Sequence, residues 1–318
     1  MIDLRDIKLQ DVSNWDDLVR QSPTATFFQT KSWLEIWLKH FPVEHKIIGV
    51  YEREELIGMV PLNLANDKVN LLGITPVLNG ELVSDFGDII AKISYEKIVW
   101  QEILAKFKVQ SSKFKIELDF IREDSPSYKV LKELGGQEEI QDEAPYLDLP
   151  KTWEEYLDSL DRHNRHELKR KMRKIENEDM KIVTSLCTFE DINELFRLME
   201  ISSEEKRRFL SKEMKAYFQD LITSSFNNKT AELMFMQKDH LNIAVTLSFI
   251  YQNDVLLYNS GFDPEYGYLS AGLILKAHLI KRAIEQNMKR FDFLRGNERY
   301  KYDLGGKKRK LYKITFKN

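Results

Sequence analysis

The stretch VLLYNSGFDPEYGYLSAGLILKAHLIKRAIEQNMKRFDFL, residues 255–294, decides the fold. The apolar run VLLYNSG, 255–261, predicts a strand, LILKAHLIKRAIEQN, 273–287, has a helical period, and RFDFL, 290–294, predicts another strand. Between the first strand and the helix lies a loop with Asp263, Pro264, Glu265, Tyr266, Tyr268 and two glycines. Ser270 stands where an N-cap is expected, and the amides of Ala271, Gly272 and Leu273 follow it without an intrahelical carbonyl to bind. With the helix dipole, such amides form a site for a pyrophosphate or a developing oxyanion. Gly272 presents no Cβ there, which permits close approach of a ligand or packing against the sheet. Pro264 stiffens a turn in which Asp263 accepts backbone hydrogen bonds, while Tyr266 and Tyr268 either stack on a ring or fill the rim of the core. In the last strand Phe291 and Phe293 alternate with Asp292, so Asp292, with Arg295 beyond it, is expected to point away from the rings. Asp292 then serves either as a general base or as an ion-pair anchor to Arg295, Arg299 or Lys301.

Working outward, ELMFMQKDHLNIAVTLSFI, 232–250, gives strand, polar turn and strand ahead of this unit. KIIGVYEREELIGMVPLNL, from residue 46, reads the same way, and Leu233 is as far from Ala244 as Ile47 is from Gly58. A strand at VNLLGI, a helix at YEKIVWQEILAKF, 95–107, and a strand at KIELDFI, 115–121, complete a first copy of the order strand, hairpin partner, strand, helix, strand. In the same half a helix at SWLEIWLKH, 32–40, has Ser32 as its expected cap. SDFGDII places Asp85 and Asp88 about a turn at Gly87 that turns both toward a cleft. Between the halves, Thr152 with Glu155 forms a capping-box pattern. Further on, Leu168, Met172 and Ile175 make an apolar face opposite the basic rows Arg165, Lys169, Arg173 and His166, Arg170, Lys174. Those charges either pair with the nearby acidic stretch ENED or form a wall for phosphates.

Forty-eight Lys and Arg against 51 Asp and Glu give a net charge of -3, so attraction to a nucleic acid must be local. Cys187 is the single cysteine, which excludes an intrachain disulfide and a cysteine-rich metal site. HExxH, GxSxG and GxxxxGK[ST] patterns are absent, and His163 and His166 sit among cations, so no metal is expected. The opening MIDLRDIKLQDVS lacks a continuous apolar run and no long uncharged apolar window occurs, which predicts neither a signal peptide nor a transmembrane segment. A cytoplasmic protein, with the inner face of the membrane as a peripheral location, is the expectation.

The run YNSGFDPEYGYLSAGLILKAHLIKRAIEQNMKRFDFLRGNERYKYDLG resembles the C-terminal signature of the BioF2-like or CelD-like acyltransferases of the GNAT fold, relatives of the FemAB peptidyltransferases. FFQTKSWLEIWLKHF, LVSDFGDII and PYLDLPKTWEEYLDSLDRHNRHELKRKMRKIE are similar to other parts of that family, in the same order. The resemblance implies an α/β (α+β) chain of two tandem GNAT-like domains, each a mixed central sheet flanked by helices. The boundaries expected are 1–150 for the first domain, 151–180 for a basic connecting helical segment and 181–318 for the acyltransferase domain. Acyl transfer from acetyl-CoA or another acyl-CoA to an amine or hydroxyl of a small molecule, peptide or saccharide is implied. The alternatives are aminoacyl-tRNA as donor, or a noncatalytic accessory role in polysaccharide or cell-envelope biosynthesis. Asp292, Asp88 and Tyr300 are the catalytic candidates, the first two as base and Tyr300 to protonate the leaving thiolate. Ser270, Ala271, Gly272, Leu273, Arg165, Lys169, Arg295 and Lys301 are expected to hold the donor, and Asp85, Asp263, Tyr266 and Tyr268 the acceptor. PEYGYLSAG stands where familiar acetyl-CoA enzymes carry a glycine-rich pyrophosphate loop.

Overall fold

The computed structural model describes residues 1–65, 67–110, 115–176, 178 and 180–316, with the main chain alone at 108–110. Asn177 and Asp179 of the acidic stretch thus lie outside the described residues. The chain forms two compact units, Met1–Glu143 with Arg309–Asn318, and Ala144–Lys308.

In the first unit the strands are β1 Ile2–Ile7, β2 His45–Glu52, β3 Glu55–Asn63, β4 Lys68–Leu71, β5 Ile90–Ala91, β6 Lys115–Arg122 and β7 Gln137–Glu143. Its helices are α1 Trp15–Gln21, α2 Lys31–His40, α3 Glu96–Gln110 and α4 Pro126–Glu133. The second unit has β8 Tyr146–Asp148, β9 Met180–Thr184, β10 Ala231–Lys238, β11 Leu241–Tyr251, β12 Asp254–Phe262 and β13 Arg290–Asp292. Its helices are α5 Trp153–Ser159, α6 Arg162–Glu176, α7 Phe189–Ser202, α8 Glu204–Phe209, α9 Lys212–Asn227, α10 Ala271–Glu285 and α11 Arg299–Asp303. The last strand, β14 Lys310–Phe316, read above with the second domain, belongs to the first unit's sheet.

The sheets run β1-β2-β3-β4-β6-β14-β7, with β5 on β3, and β8-β13-β12-β11-β10-β9. Each contains one parallel pair, β4 with β6 and β12 with β13, reached by a crossover through a helix, α3 or α10. Each also carries a hairpin whose register breaks just before its turn. Val50 faces Gly58 before the break in β2–β3, and Met236 faces Ala244 before the break in β10–β11. The equal spacing seen in the sequence is therefore a repeated hairpin with a repeated bulge.

β11 is buried along most of its length and carries apolar residues at consecutive positions, as a strand covered on both faces must. α10 lies on β10, β11 and β12 and buries Ile274, Leu275, Leu279, Ile280 and Ile284 in one core with Phe291 and Phe293. Each such side chain contributes about 1.5–3 kcal/mol relative to exposure. β12 approaches α7 so closely that a Cβ on Gly261 would stand 2.5 Å from the main-chain carbon of Leu198. In the first unit Trp15, Trp33, Trp37 and Trp100 are fully buried. The Trp33 indole donates to Ser84 at 2.9 Å and that of Trp100 to Ser127 at 2.8 Å, so two of the four find a hydroxyl acceptor in the core. Thr30, two residues earlier than Ser32, occupies the cap position of α2 and makes no side-chain cap bond. Thr152 and Glu155 form the capping box at α5 as expected.

Candidate functional site

The loop between β12 and α10 is a short 3-10 helix, Pro264–Leu269, started by Asp263, whose carboxylate accepts the Glu265 amide at 3.0 Å. Asp263 is therefore occupied as a turn former. Ser270 takes the cap position of α10, but in the left-handed backbone region, φ 56°, and its hydroxyl makes no cap bond. Its carbonyl accepts the amides of Leu273 at 3.0 Å and Ile274 at 3.1 Å. Of the three amides expected to be open, Leu273 is thus engaged, while those of Ala271 and Gly272 meet no acceptor among the described residues. α10 has no acidic residue in its first turn, so no side chain of its own neutralises the positive end of the dipole.

These amides border an open recess of about 360 Å³ lined by Lys171, Phe262, Gly267, Ser270, Ala271, Gly272, Leu273, Lys276, Tyr300 and Asp303. A second recess of about 360 Å³ shares Lys171, Leu273 and Asp303 with it and continues along α6 to His163 and Asn164. Lys276 is the residue that sequence reasoning missed. It is 6 % exposed, its ammonium donates to the Gly272 carbonyl at 3.2 Å, and it stands 4.8 Å from the centre of the Tyr300 ring. Burial pushes this lysine down to about 7, and the charges of Lys206 and Lys301 act in the same direction against Glu298. The sequence does carry a signal, because Lys276 interrupts the apolar face of α10 one turn after Gly272 and one turn before Ile280. Tyr300 lines the same recess, packed edge-on against Phe293, and burial first, then Glu298, raises its hydroxyl so that it keeps its proton at neutral pH.

The other expected residues are distributed differently. Asp292 is 3 % exposed, accepts the Leu294 amide at 2.9 Å and does not line the recess. Lys301 donates to the carbonyls of Leu294 at 3.1 Å, Arg295 at 2.6 Å and Gly296 at 3.1 Å, and pairs with Glu298 at 2.9 Å. It anchors the loop after β13, of which Arg295 is part, and has no donor left for a ligand. Tyr266 packs against the core. Tyr268 is exposed, but Lys174 lies over its ring at 5.2 Å and donates to its carbonyl at 3.0 Å. On α6, Leu168 and Ile175 are buried as the apolar face predicts. On the same helix Arg165 pairs with Asp158 at 2.8 Å and, with Arg162, His163, His166 and Lys169, lines a shallow basic depression of about 570 Å³.

Asp85 and Asp88 belong to the first unit. Asp88 is 1 % exposed and accepts from the Ile89 amide at 2.8 Å and from the hydroxyls of Ser125 and Ser127. Burial raises it to about 6 against those bonds. A carboxylate so enclosed serves as an anchor, which corrects its reading as a base turned to a cleft. Among the described residues no cluster of three or more His, Cys, Asp or Glu side chains is arranged to hold a metal, and no helix is long and apolar enough to cross a membrane.

Residues 162–302 match the family described as Acetyltransferase (GNAT) domain, a span that contains α6, β9–β13 and all of the recess lining except Asp303, but less than half of the chain. No curated protein matches. Among solved structures the chain is similar to FemX, with a TM-score of 0.70 at 12 % identity, covering 98 % of this chain and 96 % of that one. It is also similar to L-PGS from Bacillus licheniformis, TM-score 0.58, 12 % identity, 90 % and 91 % covered. A tandem GNAT protein from the clavulanic acid biosynthesis pathway gives 0.54 at 13 % identity, with 99 % and 98 % covered. At such identities the likeness is one of fold. The chain has a mixed α/β architecture like that of tandem GNAT proteins, with two mixed sheets flanked by helices, and its second half matches the GNAT acetyltransferase domain.

Proposed function

We propose that this protein is an acyltransferase of the BioF2-like or CelD-like kind that moves an acyl group from an acyl-CoA to an amine or hydroxyl of a small molecule, peptide or saccharide. The observation that carries this reading is the open recess at the start of α10, where, among the described residues, the amides of Ala271 and Gly272 have no acceptor and Lys276 has no carboxylate in contact. Its volume falls in the range of small-molecule sites. A CoA thioester fits the residues present: its phosphates suit the helix start and the basic face of α6, and it supplies the activated acyl group. Ala271 and Gly272 donate to oxygen that gains negative charge, a contribution of about 3 kcal/mol for one well-placed donor. Tyr300, held protonated in the recess, gives its proton to the departing sulfur.

Neither Asp88, consumed by three donors, nor Asp292, outside the recess, is retained as the base. The proton lost by the attacking amine or hydroxyl therefore passes to solvent in the open recess, from which Tyr300 regains the proton it gave to sulfur. The basic depression on α6 supports aminoacyl-tRNA as the alternative donor, with Arg165 and Lys169 on its surface. Native mass spectrometry with acetyl-CoA, longer acyl-CoA thioesters and aminoacyl-tRNA tests the reading. The expected result is a one-to-one complex with a thioester, and binding of tRNA alone contradicts it. Tyr300→Phe is expected to lower turnover about 100-fold with little change in melting temperature; equal kcat/KM in the two proteins removes Tyr300 from the reaction.

A further inference from the structure

A sheet ends in strands whose outer main-chain groups have no ladder partner, and soluble chains protect such edges with charge, cover or brevity. Of the four sheet edges among the described residues, three are protected. β7, QEEIQDE, is acidic and exposed along most of its length, and β1 carries Asp3, Arg5 and Asp6. β8 is three residues long, and Tyr146 exchanges both its main-chain bonds with Lys307. β9 is the exception. Its one charge is Lys181, four of its five residues are exposed, and among the described residues no strand lies beyond it. Ile182 and Val183 are 37 % and 38 % exposed, and the chain that follows adds Leu186 at 75 % and Phe189 at 57 %. An apolar edge of this kind invites pairing with another chain.

The ladder to β10 fixes which groups point outward. Val183 faces Phe235, Lys181 faces Gln237, and beyond them Ser185 donates to the Leu233 carbonyl at 2.9 Å, so in the alternating antiparallel pattern the odd-numbered residues bond to β10. The amides and carbonyls of Ile182 and Thr184 therefore point away from the sheet. Two residues before Val183, Lys181 is exposed and makes no ion pair among the described residues. Two residues after it, Ser185 donates to Asp191 Oδ2 at 2.6 Å, and the Thr188 amide bonds the same oxygen at 3.1 Å, so Oδ1 takes part in neither bond. Val183 thus has a cation on one side and a carboxylate on the other, with the side chains of Lys181 and Ser185 on its own face of the strand.

We propose that β9 pairs antiparallel with β9 of a second copy of this chain, about a two-fold axis at Val183. Ile182 then stands opposite Thr184 of the second copy, and each such pair exchanges both of its outward N–H···O bonds. Val183 meets its own counterpart at the closer, non-hydrogen-bonded spacing. Lys181 comes opposite Ser185 of the other copy, within reach of the Asp191 held there, once on each side of the axis. An axis at Ile182 sets Lys181 against Val183 and separates the charges, and an axis between the two residues sets an outward group against an inward one. The charge pattern is self-complementary in one register only, which selects a second copy over an unrelated strand. The contact is independent of acyl transfer, since none of these residues lines the recess at α10.

Sedimentation equilibrium of the full chain tests the pairing. A dimer is expected at about 100 µM and a monomer at about 1 µM. Val183→Lys sets two like charges together at the axis and is expected to leave the chain monomeric at both concentrations, with its circular dichroism unchanged. Lys181→Glu is expected to weaken dimerisation about tenfold, because the ion pair occurs twice. Val183→Cys is expected to cross-link the two copies on mild oxidation and Ile182→Cys is not, since only the former stands opposite itself at a disulfide's spacing. As a readout independent of any variant's folding, amide exchange at Ile182 and Thr184 is expected to slow about tenfold from the lower to the higher concentration, with Val183 unchanged. A monomer at the higher concentration overturns the proposal, whatever peptide or other protein then binds the edge. A dimer that Val183→Lys or Lys181→Glu leaves intact, or one cross-linked by Ile182→Cys and not by Val183→Cys, overturns it as well.

Discussion

Asp88 and Lys276 occupy comparable places in the two units. Each lies on the chain that crosses to the parallel strand of its sheet, and each is almost fully buried. Asp88 is enclosed by three hydrogen-bond donors from its own unit. Lys276 has one carbonyl acceptor and faces a recess. The crossover helices differ in the same sense. α3 carries Glu96 in its first turn, and that carboxylate accepts the Ser94 amide at 3.2 Å, whereas α10 has no acid in its first turn and leaves two amides open. A repeated topology thus has one copy whose buried charge is satisfied internally and one whose buried charge is left for something outside the chain. The first arrangement holds a fold together; the second keeps a site at some cost in stability.

The comparison can be strained at its scaffold first. Gly261→Ala places a Cβ against the main chain of α7, which cannot yield, and is expected to destabilise the protein by about 3 kcal/mol in urea unfolding. Gly58→Ala in the first unit meets a Val99 methyl at 2.6 Å and the Ile90 carbonyl at 3.2 Å, a side chain rather than main chain at the closest point, and about 2 kcal/mol is expected. Equal losses at the two positions would show that the units tolerate crowding alike.

Asp88 gives the next effect. Its folded value of about 6 lies above the ordinary 3.8, so the stability it contributes is complete below pH 3.8 and is lost as pH rises through 6. The stability of the native protein relative to Asp88→Asn should therefore fall by about 2 kcal/mol between pH 4 and pH 7. A pH-independent difference would mean that the carboxylate is not enclosed as described. The smallest expected change comes from giving α10 the acidic first turn that α3 has. Leu273→Glu should weaken binding of acetyl-CoA about tenfold while leaving the melting temperature within a few degrees. Unaltered affinity would separate the helix start from the ligand.

Much of the architecture is legible in the sequence because its signals are local. The two hairpins, the crossover helix at 273–287 and the capping box at Thr152 follow from periodicity and turn chemistry, and each is found within a few residues of its expected bounds. β7 escaped detection because QEEIQDE has a mostly exposed, charged pattern without alternation, and β14 because its partners lie far back in the chain, β6 and β7. The site was legible only in part. Ser270, Ala271, Gly272 and Leu273 could be placed at a helix start, but which of their amides remain open depends on the left-handed turn at Ser270 and on its carbonyl. Asp292 and Lys301 looked functional because ionisable residues near a strand end suggest a crevice. In the folded chain one accepts a neighbouring amide and the other gathers three carbonyls, contacts set by loop geometry that spacing does not encode. Lys276 was hidden by the opposite bias, since a lysine in an apolar helix reads as a solvent-facing interruption until its face is known.

The central claim is that the Ala271 and Gly272 amides at the start of α10 receive an activated acyl donor. The most direct measurement is amide NMR of the labelled protein titrated with acetyl-CoA, followed at those two residues. The account predicts saturable downfield shifts of both amide protons, with the first unit's Glu96 and Ser94 amides unmoved. Saturable binding of acetyl-CoA that leaves Ala271 and Gly272 unshifted would contradict it.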